Sequence, residues 1–186
     1  STEESETVVG LGDRLEELLT QQYGYRVLHH KGQYDVGDRD HAYSNALPDV
    51  SKIINDNPSI KVVIDLHRDG VAETTRLATT IDGKPTAQIM FFNGLCRTSA
   101  RGTIESLPNQ YLEQNLAFSF QMQLAANRYY PGLTRRIYLK GYRYNMHLCP
   151  QSLLVEVGAQ TNTKEEAYNA MKPLADILDK VLKKDK

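Results

Sequence analysis

The chain predicts an α/β domain, on three observations. Helix-like and strand-like segments alternate from end to end. Residues 60–66 (I-K-V-V-I-D-L) have the unbroken β-branched character of a strand buried on both faces. Repeats, low-complexity tracts and Gly/Ser linkers that would divide the chain are absent. The expected architecture is one domain over residues 1–186, with a mixed, mostly parallel central sheet flanked by helices. A chain of this length buries roughly 70% of the surface its unfolded form exposes, enough for one core without disulfide or metal staples.

A first helix is expected over residues 6–23, where Val8, Val9, Leu11, Leu15, Leu18 and Leu19 recur near helical spacing and Gly24 follows as a stop. Residues 25–29 read as a short strand, and residues 31–40, with Gly32 and Gly37, as the loop after it. Pro48 suits the first turn of a helix that runs to about residue 55, because its missing N–H would have no partner there anyway. Asp82-Gly83 favours a turn with positive φ, so residues 76–81 and 87–92 read as the two strands of a hairpin, the second more buried. A helix over residues 109–130 carries Leu112, Leu116, Phe120 and Leu124 every four positions, with Gln114, Gln121 and Arg128 on its polar face. Strands follow at residues 136–139 and 152–157. The last helix opens on Thr163 with Glu166 three positions later, a capping box, and ends in a Lys-rich tail that complements the helix dipole.

Composition excludes several function classes. Lys and Arg number 22 against 23 Asp and Glu, a net charge of −1, so there is no basic surplus to neutralise nucleic-acid phosphates or to dock on an anionic membrane. The apolar runs fall far short of the roughly 20 residues that span a bilayer. Nucleic acid and direct membrane contact by this stretch are therefore not expected. The two cysteines, Cys96 and Cys149, form neither a disulfide framework nor a CxxC pair. Walker and dinucleotide loops, the G-x-S-x-G elbow and zinc-finger spacing are also absent.

Two positions stand out chemically. Asp65-Leu66-His67-Arg68-Asp69-Gly70 closes the best strand, and open α/β sheets collect ligands at the carboxyl ends of strands. Alternation puts Asp65 and His67 on one face, where a carboxylate can orient an imidazole; the competing reading is a surface histidine among charged neighbours. Glu156 lies inside L-L-V-E-V-G, and a carboxylate in a buried run is costly unless paired or bound to a cation. Such a site raises the carboxyl pKa toward that of a general base, whereas an edge strand would leave Glu156 facing water. His29, His30, His41 and His147 show no H-E-x-x-H spacing, and Glu3, Glu4, Glu6 and Asp13 read on their own as a solvated terminus.

At D-L-H-R-D-G, and again at Tyr144-Asn145-Met146-His147-Leu148 followed by L-L-V-E-V-G-A-Q-T-N-T, the chain resembles the stage II sporulation protein P family. N-P-S-I-K-V-V-I-D-L-H-R-D, Pro131-Gly132-Leu133 and the Asn162-Thr163 start of the last helix extend the resemblance over nearly the whole chain. It implies a fold similar to zinc-dependent N-acetylmuramoyl-L-alanine amidases. It also implies hydrolysis of the amide joining N-acetylmuramic acid to L-Ala in peptidoglycan, with crosslink endopeptidase activity in some relatives. The cofactor implied is Zn2+, held by His, Glu and His. His67 matches the second metal histidine, and Glu156 matches the catalytic glutamate. Glu3 matches the metal glutamate, with Glu4 the alternative if the register shifts by one.

The first metal histidine has no counterpart, and a metal motif and a membrane anchor are expected in the parent protein upstream. His29, His147, Arg68 and Asp65 are expected around the site as substrate-contacting or ligand-orienting groups. The implied partners are peptidoglycan and stage II sporulation proteins D and M. The implied location is extracytoplasmic, at the engulfing sporulation septum. A non-catalytic peptidoglycan-binding module is the competing expectation, because the metal set in this stretch is incomplete.

Overall fold

The computed structural model describes residues 7–183. Along them run α1 (Val8–Tyr23), α2 (Ala42–Asp56), β1 (Val62–Asp69), β2 (Ala78–Ile81), β3 (Lys84–Ala87), β4 (Ile89–Gly94), β5 (Arg97–Thr98), β6 (Gly102–Thr103), α3 (Leu112–Tyr129), β7 (Tyr138–Lys140), β8 (Gln151–Ala159) and α4 (Lys164–Leu182). The central sheet has the order β1-β8-β4-β7, parallel at β1–β8 and β4–β7 and antiparallel at β8–β4. The expected mixed, mostly parallel sheet is thus present. No helix among the described residues is long and apolar enough to cross a membrane.

Strand alternation divides the sheet into two unlike faces. Leu153, Val155 and Val157 of β8, with Ile89 and Phe91 of β4, join Leu15 and Leu18 of α1, Phe118 and Met122 of α3, and Met171, Leu174 and Ile177 of α4 in the main core. Fully burying each large apolar side chain there contributes roughly 1.5–3 kcal/mol. Among the described residues the opposite face carries a small cluster of Met90, Phe92, Met146 and Leu154, against which Tyr43 and Tyr144 pack. That thinly covered face is where polar groups can sit.

The helix signals act as expected at the ends of the chain. Thr7 caps α1 by accepting from the Val9 N–H, and Gly24, at φ 73°, closes it. Thr163 and Glu166 form the capping box of α4.

Four expectations are corrected. Residues 25–29 keep the period-two exposure of a strand but join no ladder; Tyr25 bonds Asp179 of α4 and His29 bonds Asp13 of α1 instead. A strand needs a partner edge, and none meets this one among the described residues. Pro48 lies inside α2 rather than in its first turn, because tertiary contacts of Tyr43 anchor the helix start six residues earlier.

The Asp82-Gly83 turn, with φ of 51° and 75°, pairs Ile81 with Lys84, so the hairpin partner of β2 is β3. The more buried run, β4, leaves the hairpin after Gln88 and enters the central sheet. In α3 the Leu112, Leu116, Phe120, Leu124 series is not the buried stripe: Phe120 and Leu124 are 57% and 53% exposed. Asn115, Phe118, Ser119, Met122, Ala125 and Ala126 face inward at i, i+3, i+4 and i+7 spacing, and Asn115 is pinned by its bonds to the carbonyls of Cys149 and Pro150.

Candidate active site

The polar face of the sheet is built at the carboxyl ends of β1 and β8. In β1 the alternation that sends Val62, Ile64 and Leu66 toward the main core sends Asp65, His67 and Asp69 to the other side. His67 stands opposite Glu156 in the parallel β1–β8 register, and Met90 stands opposite Glu156 on β4. Just past this pair the register advances by two residues on β1 and three on β8. Gly158 takes up the bulge at φ 55°, where an added Cβ would lie 2.5 Å from the Asn162 Oδ1.

Each carboxylate here has different company. Asp65 Oδ1 lies 2.8 Å from His67 Nε2, and Asp65 Oδ2 accepts from the Tyr43 hydroxyl at 2.9 Å. Asp69 Oδ2 accepts from Arg135 Nη1 at 2.7 Å, while Arg135 Nη2 reaches the Met90 sulfur at 2.9 Å. Backbone bonds of Ile89 with Leu133 and Arg135 hold that arginine alongside the start of β4. Glu156 Oε2 is buried with no hydrogen-bond partner among the described residues.

The electrostatics follow from this geometry. Burial raises the Glu156 carboxyl pKa, the nearby His67 opposes the shift, and the Asp69 and Asp65 charges add to it. Burial pulls the His67 imidazole down, but the Asp65 hydrogen bond and the charges of Asp65, Glu156 and Asp35 outweigh it, and the net shift is upward. His147, in the 3₁₀ turn Met146–Leu148, is pushed down by burial and by Arg143, and its Nδ1 is buried without a partner among the described residues. Burial and Asp65 keep the Tyr43 hydroxyl protonated far above neutral pH.

Asp65, His67 and Glu156 therefore come together. Arg68 does not join them, contrary to expectation. It projects to the opposite side of β1, and its Nη2 donates to the carbonyls of Ala159 and Asn162, clamping the end of β8 to the start of α4. His29 is likewise committed elsewhere, 2.9 Å from Asp13 on α1. With Asp13 and Glu16 it forms the one cluster of metal-type ligand atoms found among the described residues, and Lys31 bonds the same Asp13. Glu3 and Glu4 lie outside the described residues.

Three members of the site escaped the sequence reading. Asp69 was within reach, since it continues the period-two series of Asp65 and His67. Tyr43 and Arg135 carried no local signal, because both arrive from segments remote in the chain.

A sequence profile of the family Stage II sporulation protein P (SpoIIP) matches residues 1–179. The chain belongs to the stage II sporulation protein P family. A member from Bacillus subtilis (strain 168) is 26% identical over 145 residues, which are 75% of this chain and 33% of that protein. The chain thus spans about a third of the length of the curated relative it matches. Among solved structures, the apo N-acetylmuramyl-L-alanine amidase Ami1 of Mycobacterium abscessus aligns over 95% of this chain and 76% of its own, with TM-score 0.53 and 14% identity. The amidase Ami1 of Mycobacterium smegmatis aligns over 95% and 74%, with TM-score 0.52 and 14% identity. Membership in the family rests on sequence, and the structural likeness establishes a shared fold.

Proposed function

We propose that this domain is a zinc-dependent peptidoglycan amidase of sporulation, cleaving the amide between N-acetylmuramic acid and the L-Ala of the stem peptide. The observation that carries the reading is Glu156: a half-buried glutamate whose Oε2 is buried and unpartnered among the described residues, facing His67 across two strand ends, in a member of the stage II sporulation protein P family. A buried carboxylate left unpartnered is costly to stability, and catalytic groups are where that cost is tolerated.

Of the ligands this reading needs, His67 is the one that lies among the described residues. His67 has one nitrogen bonded to a carboxylate, the arrangement that orients metal-ligating histidines, and in this reading it holds zinc together with Glu3, or Glu4 in the shifted register. What zinc supplies when bound is Lewis acidity toward an amide carbonyl and activation of water.

The protein's own groups do the rest. Asp65 orients His67. Glu156, with its pKa raised by burial, takes a proton from the attacking water and passes it to the departing amine, so that water adds across the C–N bond and no other reactant is consumed. His147, kept neutral, is the group assigned to hydrogen-bond the developing oxyanion. This reading assigns stage II sporulation proteins D and M as partners and the extracytoplasmic side of the sporulation septum as the location. Both assignments rest on the family.

The test is mass spectrometry of products from purified peptidoglycan incubated with the full-length protein, with zinc and with chelator. Stem peptides with a free L-Ala amine, lost on chelation and in Glu156→Ala while circular dichroism is unchanged, are the expected result. Peptidoglycan binding without product would replace the enzyme by a binding module, and cut crosslinks would extend the activity to an endopeptidase.

A further inference from the structure

We infer that Tyr43 is a positioning residue: through Asp65 it fixes which nitrogen of His67 carries the proton, leaving Nδ1 as the free lone pair. The inference deepens the proposed function, in that a histidine set to ligate a metal needs a fixed tautomer, and it rests on that reading for its purpose.

With Asp65 ionised, the geometry places a hydrogen on Nε2, and where the imidazole is neutral Nδ1 then holds the lone pair. A carboxylate only accepts. Asp65 meets the Tyr43 hydroxyl at Oδ2, 2.9 Å away, and His67 Nε2 at Oδ1, 2.8 Å away, so both contacts need a hydrogen from the other side. The tyrosine O–H supplies the first and an Nε2–H supplies the second. The Tyr43 hydroxyl also lies 3.5 Å from Nε2, and the two rings are near parallel, 10° apart in plane with centroids 6.4 Å apart. The tyrosine therefore anchors Oδ2 of Asp65 while His67 holds Oδ1, and its ring lies near parallel to the imidazole.

The Tyr-Asn-Met-His element, which the sequence marked without assigning it a contact, holds Tyr43 in place. Asn145 Nδ2 donates to the Tyr43 carbonyl at 2.7 Å. The Tyr144 ring meets the Tyr43 ring edge-on at 5.2 Å and is itself set against Phe92 at 4.8 Å. To make these contacts Tyr144 and Asn145 adopt consecutive left-handed conformations, φ 51° and 55°, which an asparagine takes readily and a tyrosine rarely. Gly94 makes room: a Cβ there would stand 2.1 Å from the Tyr142 carbonyl oxygen and push the segment away. The left-handed turn at residues 144 and 145 is thus coupled to the placement of one tyrosine beside one histidine.

The experiment reads the tautomer directly, by long-range 1H–15N correlation of 15N-histidine-labelled full-length protein, metal-free, at a pH where His67 is neutral. Wild type is expected to show His67 as the Nε2–H tautomer, and Tyr43→Phe, which keeps the ring but removes the O–H, to show a mixture. Zinc affinity, from competition with a chromophoric chelator, is expected to fall roughly tenfold in Tyr43→Phe, the low end of what loss of a ligand-orienting group costs. Should that variant fold poorly, Asn145→Gly, which tolerates the left-handed backbone and deletes the bond to the Tyr43 carbonyl, is expected to shift the tautomer in the same direction. An Nδ1–H tautomer in wild type, or unchanged tautomers in both folded variants, would overturn the inference. If wild type binds no zinc, the metal reading falls, while the tautomer spectra still decide the role of Tyr43.

Discussion

Two glutamates, Glu156 and Glu166, show what burial alone does not decide. Glu166 is 2% exposed, yet every oxygen is partnered: Oε1 accepts from Arg76 Nε and Nη2, and Oε2 accepts from the Thr163 N–H and from Asn162 Nδ2. Burial would raise its pKa, but the Arg76 bond, the Thr163 amide and Asn162 overcome that, and the carboxyl sits below its ordinary value. Glu156, partly exposed as a residue, has one oxygen buried without a partner among the described residues, and its carboxyl is raised. One glutamate closes a helix end; the other faces His67 with its Oε2 unpartnered among the described residues. Partners, rather than depth, separate the structural carboxylate from the one proposed to react.

The sharpest break of this comparison is to remove each carboxylate in turn. Glu156→Gln is expected to lower amide cleavage by roughly 10²–10⁴-fold, the worth of a general acid–base group, with the unfolding midpoint kept or raised. Full activity in that variant, measured as product release from peptidoglycan, would remove Glu156 from the mechanism.

Glu166→Ala is expected to do the reverse. It deletes half the capping box and leaves Asn162 Nδ2 short of an acceptor, which together cost roughly 2–4 kcal/mol in urea unfolding. The Arg76 pair adds little to this, because the guanidinium side chain is 58% exposed. Cleavage per folded molecule should be unchanged.

Next comes the bulge that sets Glu156 beside His67. Gly158→Ala puts a side chain at positive φ and against Asn162, and a destabilisation of roughly 1–3 kcal/mol is expected from thermal unfolding.

The smallest effect is in pH. Glu166 lies below its ordinary value of 4.5, so its contribution to stability is complete above that pH and is lost as pH falls through the folded value. Glu156 lies above 4.5, so the folded state holds its proton longer than the unfolded chain and stability falls as pH rises through the raised value. Urea titrations of the metal-free protein across pH should lose the acid-side fall in Glu166→Gln and the upper fall in Glu156→Gln. Identical profiles for the two variants would erase the distinction between them.

Much of the site was legible because it is written in strand periodicity. Asp65, His67 and Asp69 alternate, and Glu156 interrupts an apolar run, so a period of two places all four on one face of a sheet. The same rule assigns Arg68 to the other face, where it clamps α4 rather than serving the site. Where segments compete for partners, periodicity is not enough. Leu112, Leu116, Phe120 and Leu124 make a helical stripe as regular as the one α3 buries, and the choice went to Phe118, Met122, Ala125 and Ala126 because Asn115 is bonded to the Cys149 and Pro150 carbonyls. Residues 25–29 have the pattern of a strand without an edge to pair with among the described residues.

What the sequence determined by itself is local: the α/β alternation, the capping box at Thr163, the turn at Asp82-Gly83, the family, and the side of the sheet on which each candidate residue of β1 and β8 stands. These follow from φ/ψ preferences and side-chain periodicity, which act within a few residues. The tertiary structure decided the rest: that Tyr43, twenty-two positions before Asp65, would close over it, that Arg135 would pair with Asp69, and that no group among the described residues would reach Glu156 Oε2. A hydrogen-bond partner or a pKa shift depends on which groups arrive from elsewhere in the chain and on how much water they displace, and neither is encoded in any local window.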